Sequence, residues 1–289
     1  MQNFEPETMP EICLREYLPS PELQPYVQSF WTGDFNTASV RNFSQSVVPN
    51  GYAELIIHLT DDHCELFRKN AWGSSPDCTL LGLYTRPYAV KFNTHVKVFG
   101  IRFNPEGIYN IFGVSPSEFL EGFEDMERVA GTEFAACCAR LKDCRLTRQR
   151  IRMTEAFLLR NLDRHSARHD YVRTAAAMIR KNSRMKMEAL HERIPISPRQ
   201  LQREFKARIG ISPKAYMRIA RMNAIQQYLN TAVRIDLTAV TYDYGFSDQS
   251  HMIKEFHTLT GSGPGKFLKD RRQFLVNPGI IVPDPHGDG

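Results

Sequence analysis

The chain contains two copies of one sequence unit. Residues 201–216, LQREFKARIGISPKAY, and residues 252–267, MIKEFHTLTGSGPGKF, align at a shift of 51. The alignment pairs Leu201 with Met252, Glu204 with Glu255, Phe205 with Phe256, Gly210 with Gly261, Pro213 with Pro264 and Tyr216 with Phe267. Such a repeat constrains the fold more than local propensity does, because both copies must be built on the same supersecondary plan. In each copy the pattern predicts a short helix (185–194; 237–244), a tight break at Pro195-Ile196 or Gly245-Phe246, and a second helix with Ser197 or Ser247 near its N-cap. Within the second helix Leu201 and Phe205, or Met252 and Phe256, stand four apart and bury one face. Gly210 and Gly261 fall where a left-handed C-cap is wanted. The order is helix, turn, helix, twice over.

The opposite face of the second helix is then free to read a ligand. In the first unit it carries Arg199, Gln202, Arg203 and Lys206 at i, i+3, i+4 and i+7, with Ser197 at the cap. Arginine suits guanine O6 and N7, glutamine suits adenine N6 and N7, and lysine suits phosphate. The equivalent stripe in the second unit is Ser250, Ile253, Lys254 and His257, with Gln249 and His251 beside it. It is less basic and suits positioning more than base readout. Either stripe alone reads equally as a solvated polar face; the duplicated frame favours double-stranded DNA. Between the units, residues 212–230 read as one helix opened by Ser212-Pro213. At 1.5 Å per residue it spans roughly 28 Å, close to the ~34 Å between successive major-groove faces on one side of B-DNA.

Charge divides the chain in the same place. Residues 166–272 carry 20 Lys and Arg against 9 Asp and Glu, and the rest carries 17 against 23. The segment is thus +11 and the remainder −6, as expected of a basic reader of a polyanion joined to an acidic partner domain. The expected class is α+β: a β-rich N-terminal domain, barrel or sandwich with flanking helices (1–131), a helical connector (132–165), an all-helical reader (166–272) and an unstructured tail (273–289). Strands are predicted at 52–59, 64–67, 80–83, 88–92 and 96–103, separated by turn signals such as Pro49-Asn50-Gly51. Helices are predicted at 105–112, 116–122, 132–144 and 147–162. In the last of these Ile151, Phe157, Leu158 and Leu162 form an apolar stripe read as a dimer seam in preference to packing on the β-rich module.

The C-terminal text, SPRQLQREFKARIGISPKAYMRIARMNAI and YDYGFSDQSHMIKEFHTLTGSGPGKF, resembles the DNA-binding domain of the AraC/XylS family of bacterial transcription regulators. The resemblance implies two helix-turn-helix units joined by a long helix and action at promoters, with RNA polymerase as a partner. The chain departs from the family pattern at His191 after Leu190, at Thr241 after Val240, at Pro195 in the turn and at Gly263 before the last Pro. The apolar positions that set the packing are kept. The N-terminal text (VVPNGYAELIIHL, LLGLYTRPY, VFGIRFNPEGIYNIFGVSPSEF) is similar to a domain found on some regulators of this family, where this region commonly senses a small molecule and dimerises. Trp31, His58, Tyr84, Arg86 and Arg102 are the candidate ligand contacts; a purely structural homodimerisation module is the other reading.

No enzyme, metal or cofactor is expected. No GxSxG, HExxH, GxxxxGK[ST] or GxGxxG motif stands where it could operate. Cys137, Cys138 and Cys144 lack the paired two-residue spacing of a zinc clamp, so the runner-up, a methyl-accepting DNA-repair protein with the same DNA-binding domain, has little support. The acidic N-terminus and the lack of a long apolar run point to the cytoplasm rather than a membrane.

Overall fold

The computed structural model describes residues 10–37, 40, 43–68, 70–165, 170–232, 234–269, 274–275 and 281–282. The N-terminal half is two facing sheets. Strands β1 (Glu11–Tyr17), β2 (Val27–Asn36), β3 (Phe43–Val47), β4 (Ala53–His58), β5 (Glu65–Arg68), β6 (Ala71–Ser74), β7 (Cys78–Leu81), β8 (Tyr88–Phe92) and β9 (His95–Phe103) come first. Helix α1 (Gly107–Phe112), a 3₁₀ turn (Pro116–Phe119), β10 (Phe123–Asp125), and helices α2 (Met126–Asp143) and α3 (Thr147–His165) follow. The larger sheet runs β10-β7-β4-β9-β2-β1, and the smaller runs β3-β8-β5-β6, all antiparallel. Near the chain end, β11 (Phe274–Leu275) pairs with β3 and β12 (Ile281–Val282) with β1, both in parallel, so two short pieces of the expected tail add to these sheets. Other tail residues lie outside the described set.

The larger sheet is covered on both faces. Ala53, Leu55 and Ile57 of β4 and Phe99, Ile101 and Phe103 of β9 face a core shared with α1, α2 and α3, where Phe112, Phe134 and Phe157 meet edge to face. The alternate residues Glu54, Ile56 and His58 face the second sheet. Burial on both sides removes the polar-apolar alternation by which a half-exposed strand is recognised. The apolar stripe of α3 belongs to the first face: Ile151, Phe157 and Leu158 are buried in this core and Leu162 packs against it. The dimer-seam reading of that stripe is therefore corrected, because the sheet already covers it.

The C-terminal half is helical: α4 (Tyr171–Lys181), α5 (Met187–Arg193), α6 (Pro198–Ile209), α7 (Pro213–Thr231), α8 (Leu237–Asp243), α9 (Gln249–Thr260) and α10 (Pro264–Lys269). The repeat is legible in three dimensions. Phe205 meets Tyr216 at 6.0 Å between ring centroids, and their counterparts Phe256 and Phe267 meet at 5.4 Å. The two halves share apolar contacts, since Val48 and Leu83 of the sheet domain are buried in the helical core.

Between the halves lies a group of buried charges. Asp170, whose side chain is 2% exposed, caps α4 by accepting from Arg173 N, accepts from Asn110 Nδ2 of α1 at 3.1 Å, and pairs with Arg208 of α6 at 3.4 Å. Glu106 is fully buried, 3.9 Å from Arg180 Nη1, and neither carboxylate oxygen accepts a hydrogen bond. Burial raises its pKa from 4.5 to about 7 against the opposing pull of Arg180. The protonated form is therefore favoured by folding, and its contribution is lost as pH rises from about 4.5 through about 7. Glu106→Gln is expected to flatten the pH dependence of thermal stability across that interval relative to the parent chain. Parallel slopes for the two proteins in melts at stepped pH would contradict it.

Candidate nucleic-acid interface

Helix α6 forms because Ser197 stands in extended conformation with its Oγ accepting from Gln200 N, Pro198 opens the first turn, and Leu201, Phe205 and Ile209 supply one buried stripe. Gly210 then stops it in the left-handed region at φ 94°. The other face emerges as the sequence pattern predicts: Arg199, Gln202, Arg203 and Lys206 are all exposed. Arg203 reaches Glu204 at 3.3 Å, a solvent-exposed pair that leaves the guanidinium able to exchange partners.

Helix α9 repeats the construction with one change. Its N-cap is Asp248, which accepts from His251 N at 2.8 Å; Ser247 stands one residue earlier and donates to the Asp248 carboxylate. Those bonds hold the Asp248 carboxyl below the usual carboxylate range. The sequence pattern placed Ser247 near the cap, and the acidic neighbour took the position because its carboxylate accepts from the first-turn amide of His251 and meets the positive end of the helix dipole. Met252, Phe256 and Leu259 are buried, while Gln249, Ser250, His251, Lys254 and His257 are exposed. His251 lies 3.9 Å from Glu255, which also accepts from Arg218 of α7 at 2.8 Å. The second stripe is thus tied to the connecting helix. At 19 residues, α7 spans roughly 28 Å.

The sheet domain holds both units at the same point of the repeat. A Cβ on Gly210 would stand 3.3 Å from the backbone of Pro116 and Ser117, and one on Gly261 would stand 3.2 Å from Pro87. Ser115 Oγ also donates to Ala207 O at 2.7 Å. These contacts grip the C-terminal ends of α6 and α9, and the exposed N-terminal stretches carry the polar stripes.

Residues 190–270 match the family described as a helix-turn-helix domain. The C-terminal domain is a helix-turn-helix domain. Residues 15–123 match a family described only as a domain of unknown function, DUF6597. No curated relative matches the chain. Among solved structures the chain is similar to ToxT from Vibrio cholerae. It is 10% identical to the P21 form, at a TM-score of 0.48 over 83% of this chain and 98% of that one. It is 12% identical to ToxT from strain O395, at a TM-score of 0.46 over 84% and 98%. It is 9% identical to the unsaturated fatty acid bound protein of strain SCE256, at 0.45 over 91% and 96%.

The other candidate residues are distributed as follows. Trp31 and His58 line a cavity between the two sheets. Tyr84 meets the cavity-lining Tyr88 with tilted rings at 4.1 Å between centroids, Arg86 is exposed, and Arg102 is buried between Glu16 and Glu54 at 2.5 and 2.7 Å. Cys138 is buried, and Cys144 Sγ donates to Arg140 O. Among the described residues no group of three or more His, Cys, Asp or Glu could hold a metal ion, and no helix is long and apolar enough to cross a membrane. The residues that the pattern did not single out are Asp170, Glu106, Arg180 and Arg208. Only Asp170 carried a signal, an N-cap residue ahead of an amphipathic run. Gly210→Ala combines left-handed strain of about 1–2 kcal/mol with pressure on the Pro116 backbone. It should therefore lower the melting temperature more than Gly245→Ala, whose site at φ 74° has open space around it. Equal shifts in calorimetry would show that the Gly210 contact with the sheet domain is immaterial.

Proposed function

We propose that the chain is a cytoplasmic, sequence-specific transcription regulator that sets α6 and α9 in adjacent major grooves of promoter DNA under the control of a small molecule bound in the sheet domain. The observation that carries this is the duplicated unit. Two helices of the same frame are seated on the same domain by equivalent glycine caps, and each turns a polar stripe outward. A helix-turn-helix reads base edges with the N-terminal part of its second helix, the part left clear here. Arg199, Gln202, Arg203 and Lys206 then read bases and phosphates in one groove. Gln249, Ser250, His251 and Lys254 position the second unit in the next groove, with the Ser197 hydroxyl at the start of α6 beside the phosphate backbone. RNA polymerase and a second copy of the chain are the protein partners this reading expects.

Control passes through the domain junction. A ligand that favours one arrangement of the sheet domain shifts the pair of readers by its differential affinity for the two arrangements and by nothing else. The junction is well suited to having more than one arrangement, since it is buried and holds both a paired charge, Asp170 with Arg208, and a carboxyl, Glu106, that accepts no hydrogen bond.

Selection of bound sequences from a random duplex pool by the full chain tests the central reading. The expected motif has two half-elements about one helical turn, ~10 bp, apart. Arg203→Ala should weaken binding to it by ~1–3 kcal/mol and relax discrimination at one position. Uniform weakening on every sequence would assign Arg203 to phosphate, and a pool that enriches nothing would reject the paired reader.

A further inference from the structure

The two reading helices share a frame but differ in chemistry at one telling position. At the shift of 51 that relates the units, Gln202 of α6 corresponds to Ile253 of α9, and each is the fifth residue of its helix. Gln202 is exposed and carries an amide that suits adenine. Ile253 is 37% exposed, and its side chain is carbon throughout. It takes no part in the core that Met252, Phe256 and Leu259 of the same helix enter. Among the described residues of the helical half, the other exposed large apolar side chains are Tyr171, Tyr228 and Tyr242, each with a hydroxyl for water.

Placement on the helix separates Ile253 from the side chains already engaged within the protein. His251 and Glu255, four apart, share one flank of α9. His251 lies 3.3 Å from Ser247 Oγ and edge-on to the Phe246 ring, and Glu255 accepts from Arg218 of α7. Ile253 stands on the opposite flank with Gln249, four residues earlier, in the N-terminal stretch that a helix-turn-helix inserts into the groove. A single apolar side chain on a surface needs no ligand to account for it. One that replaces the glutamine of the sister helix at a reading position has a definite chemistry to match.

The major groove offers such a side chain one partner. Guanine, cytosine and adenine present hydrogen-bonding atoms there, whereas thymine presents O4 and a C5-methyl group. An isoleucine set against the first three strips water from donors and acceptors and returns nothing. Set against the methyl group, it removes carbon from water on both sides of the contact.

We infer that Ile253 reads the C5-methyl group of one thymine in the groove that α9 enters, so that the second unit selects sequence as well as positioning the protein. The inference rests on the reading of α6 and α9 as a pair in adjacent grooves, and it names a base that the second helix specifies.

The test uses the full chain and the motif it selects from the random duplex pool. Each thymine of that motif is replaced in turn by deoxyuridine, which lacks only the C5-methyl group. One replacement should weaken binding by the parent chain about fourfold, the worth of burying one methyl group. Ile253→Ser, and Ile253→Gln, which copies the sister helix, should bind the thymine and deoxyuridine duplexes alike. Both should melt with the parent, because the side chain lies outside the core. Ile253→Val, which keeps a branched carbon tip, should retain the difference. A motif in which no deoxyuridine replacement weakens the parent, or a loss of the same size in the serine and glutamine variants, would overturn the inference and leave the paired reader standing. A pool that enriches no motif would reject the paired reader and the inference together.

Discussion

Asp170 is the side chain on which the relation of the two halves depends. One buried carboxylate caps the first helix of the reader, accepts from Asn110 of the sheet domain and pairs with Arg208 on α6. Taking such a charge out of water is costly, and the cost is offset only while all of its partners are in place. Arg208 also stacks on Tyr109 and pairs with Glu204, so the same arrangement fixes the C-terminal end of the reading helix. The buried Glu106–Arg180 pair lies alongside. An apolar junction would tolerate sliding, whereas a polar one with committed partners has a small set of discrete arrangements. That property makes the junction suitable for a switch.

The sheet domain faces a related constraint. With α1, α2 and α3 on one face of the larger sheet, its other face must be closed by the smaller sheet, and large aromatics on both would fill the gap. Gly33 and Gly100 prevent that: a Cβ on Gly33 would press on the Phe35 ring and on Val98, and one on Gly100 would press on Trp31. Small residues beneath large rings let the rings lie flat and leave space beyond them. Cavity and packing thus come from the same few positions.

The reader was largely legible from the sequence because its information is local and repeated. Heptad-scale spacing, glycine caps and a second copy at a shift of 51 each specify the same helices, and the helices occur where expected. The sheet domain was legible only in part. Strands β4, β5, β7, β8 and β9 follow their apolar runs, but β1, β2, β3, β6 and β10 escaped. In β2, Phe30 faces the helical core and Trp31 the other sheet, so neighbouring apolar residues break the alternation that marks a strand. In β1, Glu16 is buried against Arg102, whose own strand pairs with β2 and β4 and not with β1. Asp170 reads as the end of a polar linker because its partners at 110 and 208 are distant in sequence. The apolar stripe of α3 looks the same whether a sheet or a second protomer covers it. Long-range pairing decides each of these cases, and one sequence does not display it.

The cavity and the reader are linked by a short route. Glu54 lines the cavity and accepts from Asn50 Nδ2, and Asn50 O in turn accepts from Asn223 Nδ2 on α7. Gly51, at φ 78°, allows the loop to lie against Tyr216 and Ile219 of the same helix, where a side chain would crowd both. Helix α7 joins the two units and holds Glu255 of α9 through Arg218. Any displacement of Glu54 would thus be felt at the helix whose length and tilt set the distance between α6 and α9. The loop from Pro49 to Gly51, whose backbone is free of ladder bonds, is the segment that both domains hold on this route.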